Sequence, residues 1–214
     1  ELLLRMLMSC RRFTGGDLSR YAQSVPEAGW STALPQQRGE LYVLRGTVRQ
    51  VTPVTVESDL AARFEIQRYY RCEVELADGQ RAVIDAFSVP VEWRERGSAE
   101  PLDARIGASG FLLRRVQLDA QPQLEFVTQR LAWYPPGPLG NLDGDAGLFE
   151  TVRNGVPLEE SDTASFYELL AACGRVTSQQ LLRLAPESFP IVNLFPRRDK
   201  QKNKLLEPQI ERGE

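Results

Sequence analysis

LYVLRGTVRQVTPVTV, Leu41 to Val56, decides how this chain folds. Nearly every second residue in it is apolar or β-branched, which is the period of a β-strand. Gly46 interrupts the run where a long strand must bend, and Pro53 blunts its far end. The stretch reads as the long, coiled first strand of a small barrel.

Working outward, YYRCEVEL (69–76) alternates cleanly. Tyr70, Cys72, Val74 and Leu76 share one face, and Tyr69, Arg71, Glu73 and Glu75 the other, as in a strand with one buried side. Ala77-Asp78-Gly79-Gln80 supplies an Asp-Gly turn, since Gly79 adopts positive φ without a Cβ clash. Its partner strand is RAVIDAFSV (81–89). A charged connection, VEWRERGSAEPLDAR, precedes a fourth strand, IGASGFLLRRVQL, whose Gly107 and Gly110 suit a barrel corner. After a turn at 119–123, LEFVTQRLAWY (124–134) is the fifth.

Five strands, a coiled glycine-broken first one and a longer gap between the third and fourth make residues 40–134 resemble an OB-fold. The alternative is another small barrel, such as an SH3-like one. With helical signals on both sides, the fold class is α+β: a five-stranded OB-like β-barrel flanked by short helical pairs at both ends. The boundaries are 1–37 for the first helical pair and its connection, 38–134 for the barrel, 135–160 for a Pro/Gly-rich linker, and 161–214 for the second pair and the start of a next repeat.

The first flank places Leu3, Leu4, Leu7 and Met8 on one side of a helix over residues 2–12. Thr14, with Asp17 three residues later, signals a second helix start, running to about residue 22. Residues 57–67 open on a Ser/Asp cap signal and read as a helical turn or a loop. YPPGPLG (134–140) is a semi-rigid linker. In NLDGDAG, Asn141, Asp143, Asp145 and Gly147 are spaced two apart like calcium-loop ligands. Ala146 and Val152 stand where an EF-hand needs Gly and Glu, so a solvated turn is expected. Ser161-Asp162 caps a run that turns Phe166, Leu169, Leu170 and Cys173 one way, and Thr177 with Gln180 makes a capping box ahead of LLRLA. The tail carries Arg197, Arg198, Lys200, Lys202 and Lys204 and reads as a solvated basic linker.

The two flanks match each other. LMSCRRFTGGDLSRYA (7–22) lies over LAACGRVTSQQLLRLA (170–185) at a shift of 163, with Leu7, Cys10, Arg12, Thr14, Leu18, Arg20 and Ala22 identical to Leu170, Cys173, Arg175, Thr177, Leu181, Arg183 and Ala185. Arg38-Gly39-Glu40, which opens the first strand, recurs as Arg212-Gly213-Glu214. The pattern is that of a tandem array of helix pair plus barrel, with a second barrel expected to begin where this sequence stops. It resembles bacterial proteins that string several such modules together, and no activity comes with that resemblance.

Composition narrows the function. The 214 residues carry a net charge of −3, and residues 38–134 hold 13 arginines against 14 carboxylates. Such a barrel offers little phosphate neutralisation, so nucleic acid is an unfavoured partner. There is no histidine, hence no imidazole base or ligand. Gly-rich phosphate loop, CxxC pair and nucleophile elbow are missing, so neither an enzyme nor a cofactor is expected. Three cysteines, Cys10, Cys72 and Cys173, are too few for a disulfide framework and read as buried small hydrophobes. ELLLRMLMSCRRF is too short, and through Arg5 too polar, to span a membrane. Glu1 in place of Met is what a processed or excised chain has, so any targeting segment is expected upstream, and the compartment stays open.

The expected function is a non-catalytic interaction or assembly module of a tandem-repeat protein, with protein as the partner. The OB-fold resemblance implies an alternative, binding of single-stranded nucleic acid or oligosaccharide on the face of strands two and three. That face would use Arg68, Tyr69, Arg71, Arg81 and Phe87, aromatics interleaved with cations, although Glu73, Glu75 and Asp85 share the same side.

Overall fold

The computed structural model describes residues 1–13, 15–25, 38–94, 101–118, 121–150, 152, 162–174, 177, 179, 190–192 and 210–212. Strand β1 (Leu41–Thr55) is long enough to serve two neighbours. Its first half, Leu41 to Val48, pairs with β4 (Ala104–Leu118), and its second half, from Gly46 on, with β2 (Arg68–Leu76). Gly46 lies in the overlap, facing both Leu76 and Ile106, and a Cβ there would strike the Glu75 backbone. The glycine read as a bend is therefore also a point of close strand approach.

The β2–β3 hairpin forms at the expected place, with β3 at Arg81–Ser88. Gly79 takes φ +82, and Asp78 Oδ1 accepts from the Gln80 N–H at 3.0 Å. β3 then pairs in parallel with β5 (Gln121–Arg130), which runs antiparallel to β4, which returns to β1. The order β1-β2-β3-β5-β4-β1 is a closed five-stranded mixed barrel, compatible with an OB-like one. Inside it pack Leu44, Val48, Cys72, Val74, Ile84, Ile106, Leu112 and Phe126. The inward residues of β2 are those that the alternation predicts, because a strand facing one core has no other way to bury its apolar half.

Within the barrel, two sequence readings need correction. The fifth strand is two: Leu131 turns inward, fully buried, and its N–H reaches the Ser88 carbonyl at 3.2 Å. The chain then bends so that β6 (Ala132–Tyr134) pairs with the start of β4, laying the Tyr134 ring across Gly107, where any Cβ would collide. The charged connection after β3 also holds a plug. A four-residue helix, Val91–Arg94, drives Trp93 into the core, 5.8 Å from Trp133, and Leu102 is buried beside them.

Helices α1 (Leu2–Cys10) and α2 (Gly15–Tyr21) form the expected N-terminal pair. The chain after them is tied to the barrel by Gln23, whose N–H reaches the Leu41 carbonyl at 2.8 Å. A helix also spans Ser58–Phe64, closed by Glu65 at φ 54. Residues 135–150, read as a linker, fold against the barrel as a short helix (Pro138–Asn141) and a 3₁₀ turn (Ala146–Phe149). The C-terminal helix, here αC, spans Thr163–Gly174, and Ser165 donates to the Leu148 carbonyl. Farther on, Pro190–Val192 pairs with Ile210–Arg212. Arg212 thus ends a strand, whereas its counterpart Arg38 sits in a turn. Leu181–Ala185, the basic cluster, Gly213 and Glu214 lie outside the described residues. No helix among the described residues is long and apolar enough to cross a membrane.

Candidate binding surfaces

Three surfaces of the described chain hold side chains able to recognise something: the outer face of β2 and β3, the exposed side of αC, and an arginine-lined cleft on β1 and β4.

The outer face of β2 and β3 carries Tyr69, Arg71, Arg81 and Phe87 of the five residues singled out above, with Arg68 exposed at the start of β2, and much of it is occupied by the chain itself. The apolar side of α1 (Leu4, Leu7, Cys10) forms one buried cluster with Tyr69, Val127, Phe64 and Ile66, and Phe87 is partly buried against it. Tyr69 keeps 9% of its surface exposed. Arg11, just past α1, places its guanidinium 4.7 Å from the centre of the Phe87 ring, a cation–π contact. Alternation alone assigned Tyr69 and Phe87 to an outward face, and they are on it. What no alternation reveals is that a helix lies on top.

Next to this apolar row runs a charged one. Arg71 donates from Nε and Nη2 to the two carboxylate oxygens of Asp85, at 3.0 and 3.1 Å, and Nη2 also reaches Glu125 at 3.2 Å. Arg114 binds the other Glu125 oxygen. The order of neighbours follows from register: Arg71 opposes Asp85, and Glu125 opposes Arg114. Asp85 is fully buried. Burial pushes its carboxyl up from the ordinary range, against the opposing pull of Arg71, and burial likewise raises the Tyr69 phenol. Of the five candidates, Arg68 and Arg81 are exposed, Arg71 is held by two carboxylates, and Tyr69 and Phe87 line the cluster beneath α1.

The exposed side of αC is the second surface. At the shift that aligns the two flanks, Leu7 corresponds to Leu170 and Cys10 to Cys173. Leu7 has 0% of its surface exposed and Leu170 has 51%. Cys10 is buried and Cys173 exposed, and all three cysteines are free thiols. Phe166 and Tyr167 are exposed beside Leu170, with ring centres 5.8 Å apart. Leu169, grouped with this face by helical spacing, lies among residues whose side chains are outside the description.

NLDGDAG has a different role from the solvated turn expected. Asp145 is buried, accepts from the Trp133 and Gly147 N–H groups at 2.9 Å each, and pairs with Arg130. Burial raises its carboxyl, with Arg130 and the two amides opposing. Asp143 reaches Arg45 at 2.8 Å and Arg105 at 3.5 Å. The two aspartates fasten residues 138–149 to the barrel, and arginines stand where a cation would. Among the described residues, no group of three or more His, Cys, Asp or Glu is placed to hold a metal ion. Set beside known protein families and curated protein sequences, the chain matches none of them.

Proposed function

We propose that this protein is a non-catalytic interaction or assembly module, one unit of a tandem helix-plus-barrel protein, with protein as its partner. The observation that carries this reading is the contrast between matched positions. In α1, Leu7 and Cys10 close against a barrel; in αC, Leu170 and Cys173 lie open beside Phe166 and Tyr167. An isolated helix of this length is marginal in water, and its stability comes from packing an amphipathic face. A face that covers a barrel in one copy and is bare in the other fits an element that completes its packing on another module. The seven identities between the flanks support duplication of the whole unit.

The alternative, single-stranded nucleic acid or oligosaccharide on β2 and β3, has less support. Its two aromatics pack under α1, its central arginine is paired, and the barrel segment is close to neutral. Sedimentation over a wide concentration range tests the assembly reading. The full chain is expected to self-associate or to bind a protein partner, and Leu170→Asp is expected to weaken that association without lowering the melting temperature. A chain that stays monomeric, captures no protein and binds a single-stranded oligonucleotide with steep salt dependence overturns it.

A further inference from the structure

On the side of the barrel where β1 changes partners lies a cleft of about 440 Å³, lined by Arg45, Thr47, Arg49, Glu75, Arg105 and Tyr134. Strand geometry gathers the cations. Arg45 and Arg49 stand on either side of Thr47, and Thr47 is paired with Arg105 on β4 and with Glu75 on β2. Tyr134 on β6 lies opposite Arg105.

The ion pairs divide unevenly. At one end, Arg49 is matched by Glu75 at 2.9 Å and Asp103 at 2.6 Å. At the other, Arg45 and Arg105 share the single carboxylate of Asp143. Among the described residues the cleft as a whole is neutral, three cations to three anions, but this end carries two cations to one anion. The side chains of Arg45 and Arg105 are more than half exposed, so in water their hold on Asp143 is weak. Asp143 also has φ 55, a left-handed backbone that an aspartate adopts only at some cost.

We propose that Arg45 and Arg105 form a clamp for a phosphate group, inorganic or carried as a monoester, and that Asp143 fills this clamp from within the chain. Two guanidinium groups, each against a different oxygen of one carboxylate, are an arrangement that can grip a phosphate, and a phosphate dianion brings the second negative charge that this end lacks. It also brings a third acceptor oxygen, and Thr47, in the lining of the cleft and paired with Arg105, offers a hydroxyl. Displacing Asp143 removes the tie nearest the Pro138–Asn141 helix, while Asp145, two residues further along the chain, stays paired with Arg130. Phosphate binding therefore reports on the mobility of residues 139–144.

Calorimetric titration of the full chain at constant ionic strength, with inorganic phosphate and with phenyl phosphate, tests this. Saturable one-to-one binding is expected, at least threefold tighter in Asp143→Asn and at least tenfold weaker in Arg105→Met, with Arg68→Met, outside the cleft, within twofold of the wild type. Asparagine is well suited to the backbone of residue 143, so the first variant keeps the fold. Arg105→Lys, which retains the charge and loses the fork, is expected to bind between wild type and Arg105→Met. Hydrogen exchange in residues 139–144 is expected to quicken with phosphate. Tighter binding of phenyl phosphate identifies a monoester as the ligand, and equal binding identifies the free ion. The proposal falls if neither wild type nor Asp143→Asn binds either probe saturably, if Asp143→Asn weakens binding, or if folded Arg105→Met binds as well as wild type.

Discussion

Helix α1 and helix αC share a matched leucine and cysteine and have opposite surroundings. Each carries a leucine and a cysteine three residues apart on one face. In α1 that face meets a sheet whose outer row is Tyr69, Phe87 and Val127; in αC it meets solvent. A helix's apolar stripe thus states that something must cover it without saying what, and here one stripe is covered while the matching positions of the other are exposed.

The largest expected difference is chemical. Cys10 is buried and its thiol is pushed up to about 11 by desolvation, whereas Cys173 is exposed. Alkylation of the native protein should modify Cys173 first and Cys10 only on unfolding. A rate ratio of about a thousandfold or more is expected from the rarity of the unfolded state. Peptide mapping after a timed pulse of iodoacetamide measures it, and comparable rates would erase the contrast between the helices.

Truncation is next in size. Leu7→Ala removes a fully buried side chain and should cost about 2–5 kcal/mol, while Leu170→Ala in the monomer should stay within about 0.5 kcal/mol. Urea denaturation of the two variants gives both numbers. If Leu170→Ala proves as costly as Leu7→Ala, αC is already packed and the assembly reading loses its foundation.

A smaller effect belongs to the covered sheet face alone. The Asp85 carboxyl is raised above its ordinary value, so in the folded protein it holds its proton more tightly than in the unfolded chain. Its contribution is therefore fully present below the unfolded value near ~3.9 and is lost as pH rises through the folded one. Asp85→Asn should remove that decline, so the stability difference between variant and wild type should shift in the variant's favour from pH 4 to pH 7. Parallel melting curves across that range decide it; an unchanged difference means that Asp85 does not titrate abnormally. The smallest change is expected from Asp143→Asn, whose ion pairs are exposed, at no more than about 1 kcal/mol in stability.

Legibility in the sequence followed locality. The β2–β3 hairpin was readable because its alternation and its Asp78-Gly79 turn lie within twenty neighbouring residues. The bend at Gly46 was readable for the same reason. The burial of Trp93 was not, since a lone aromatic in a charged run carries no period; its meaning comes from Trp133, far along the chain. Tyr69 and Phe87 looked like a stacking platform because nothing near them in sequence announces α1. Asp143 and Asp145 looked like a turn because their partners, Arg45, Arg105 and Arg130, lie on three different strands.

The β2–β3 hairpin, the inward half of β2, the N-terminal helical pair and the likeness of the two flanking sequences are written in spacing, and spacing survives in a one-dimensional string. The parallel pairing of β3 with β5, the closing of β4 onto β1 and the seating of α1 across β2, β3 and β5 were decided only in three dimensions. Each depends on which apolar surface reaches which other one, and the hydrophobic effect that drives the choice has no direction of its own.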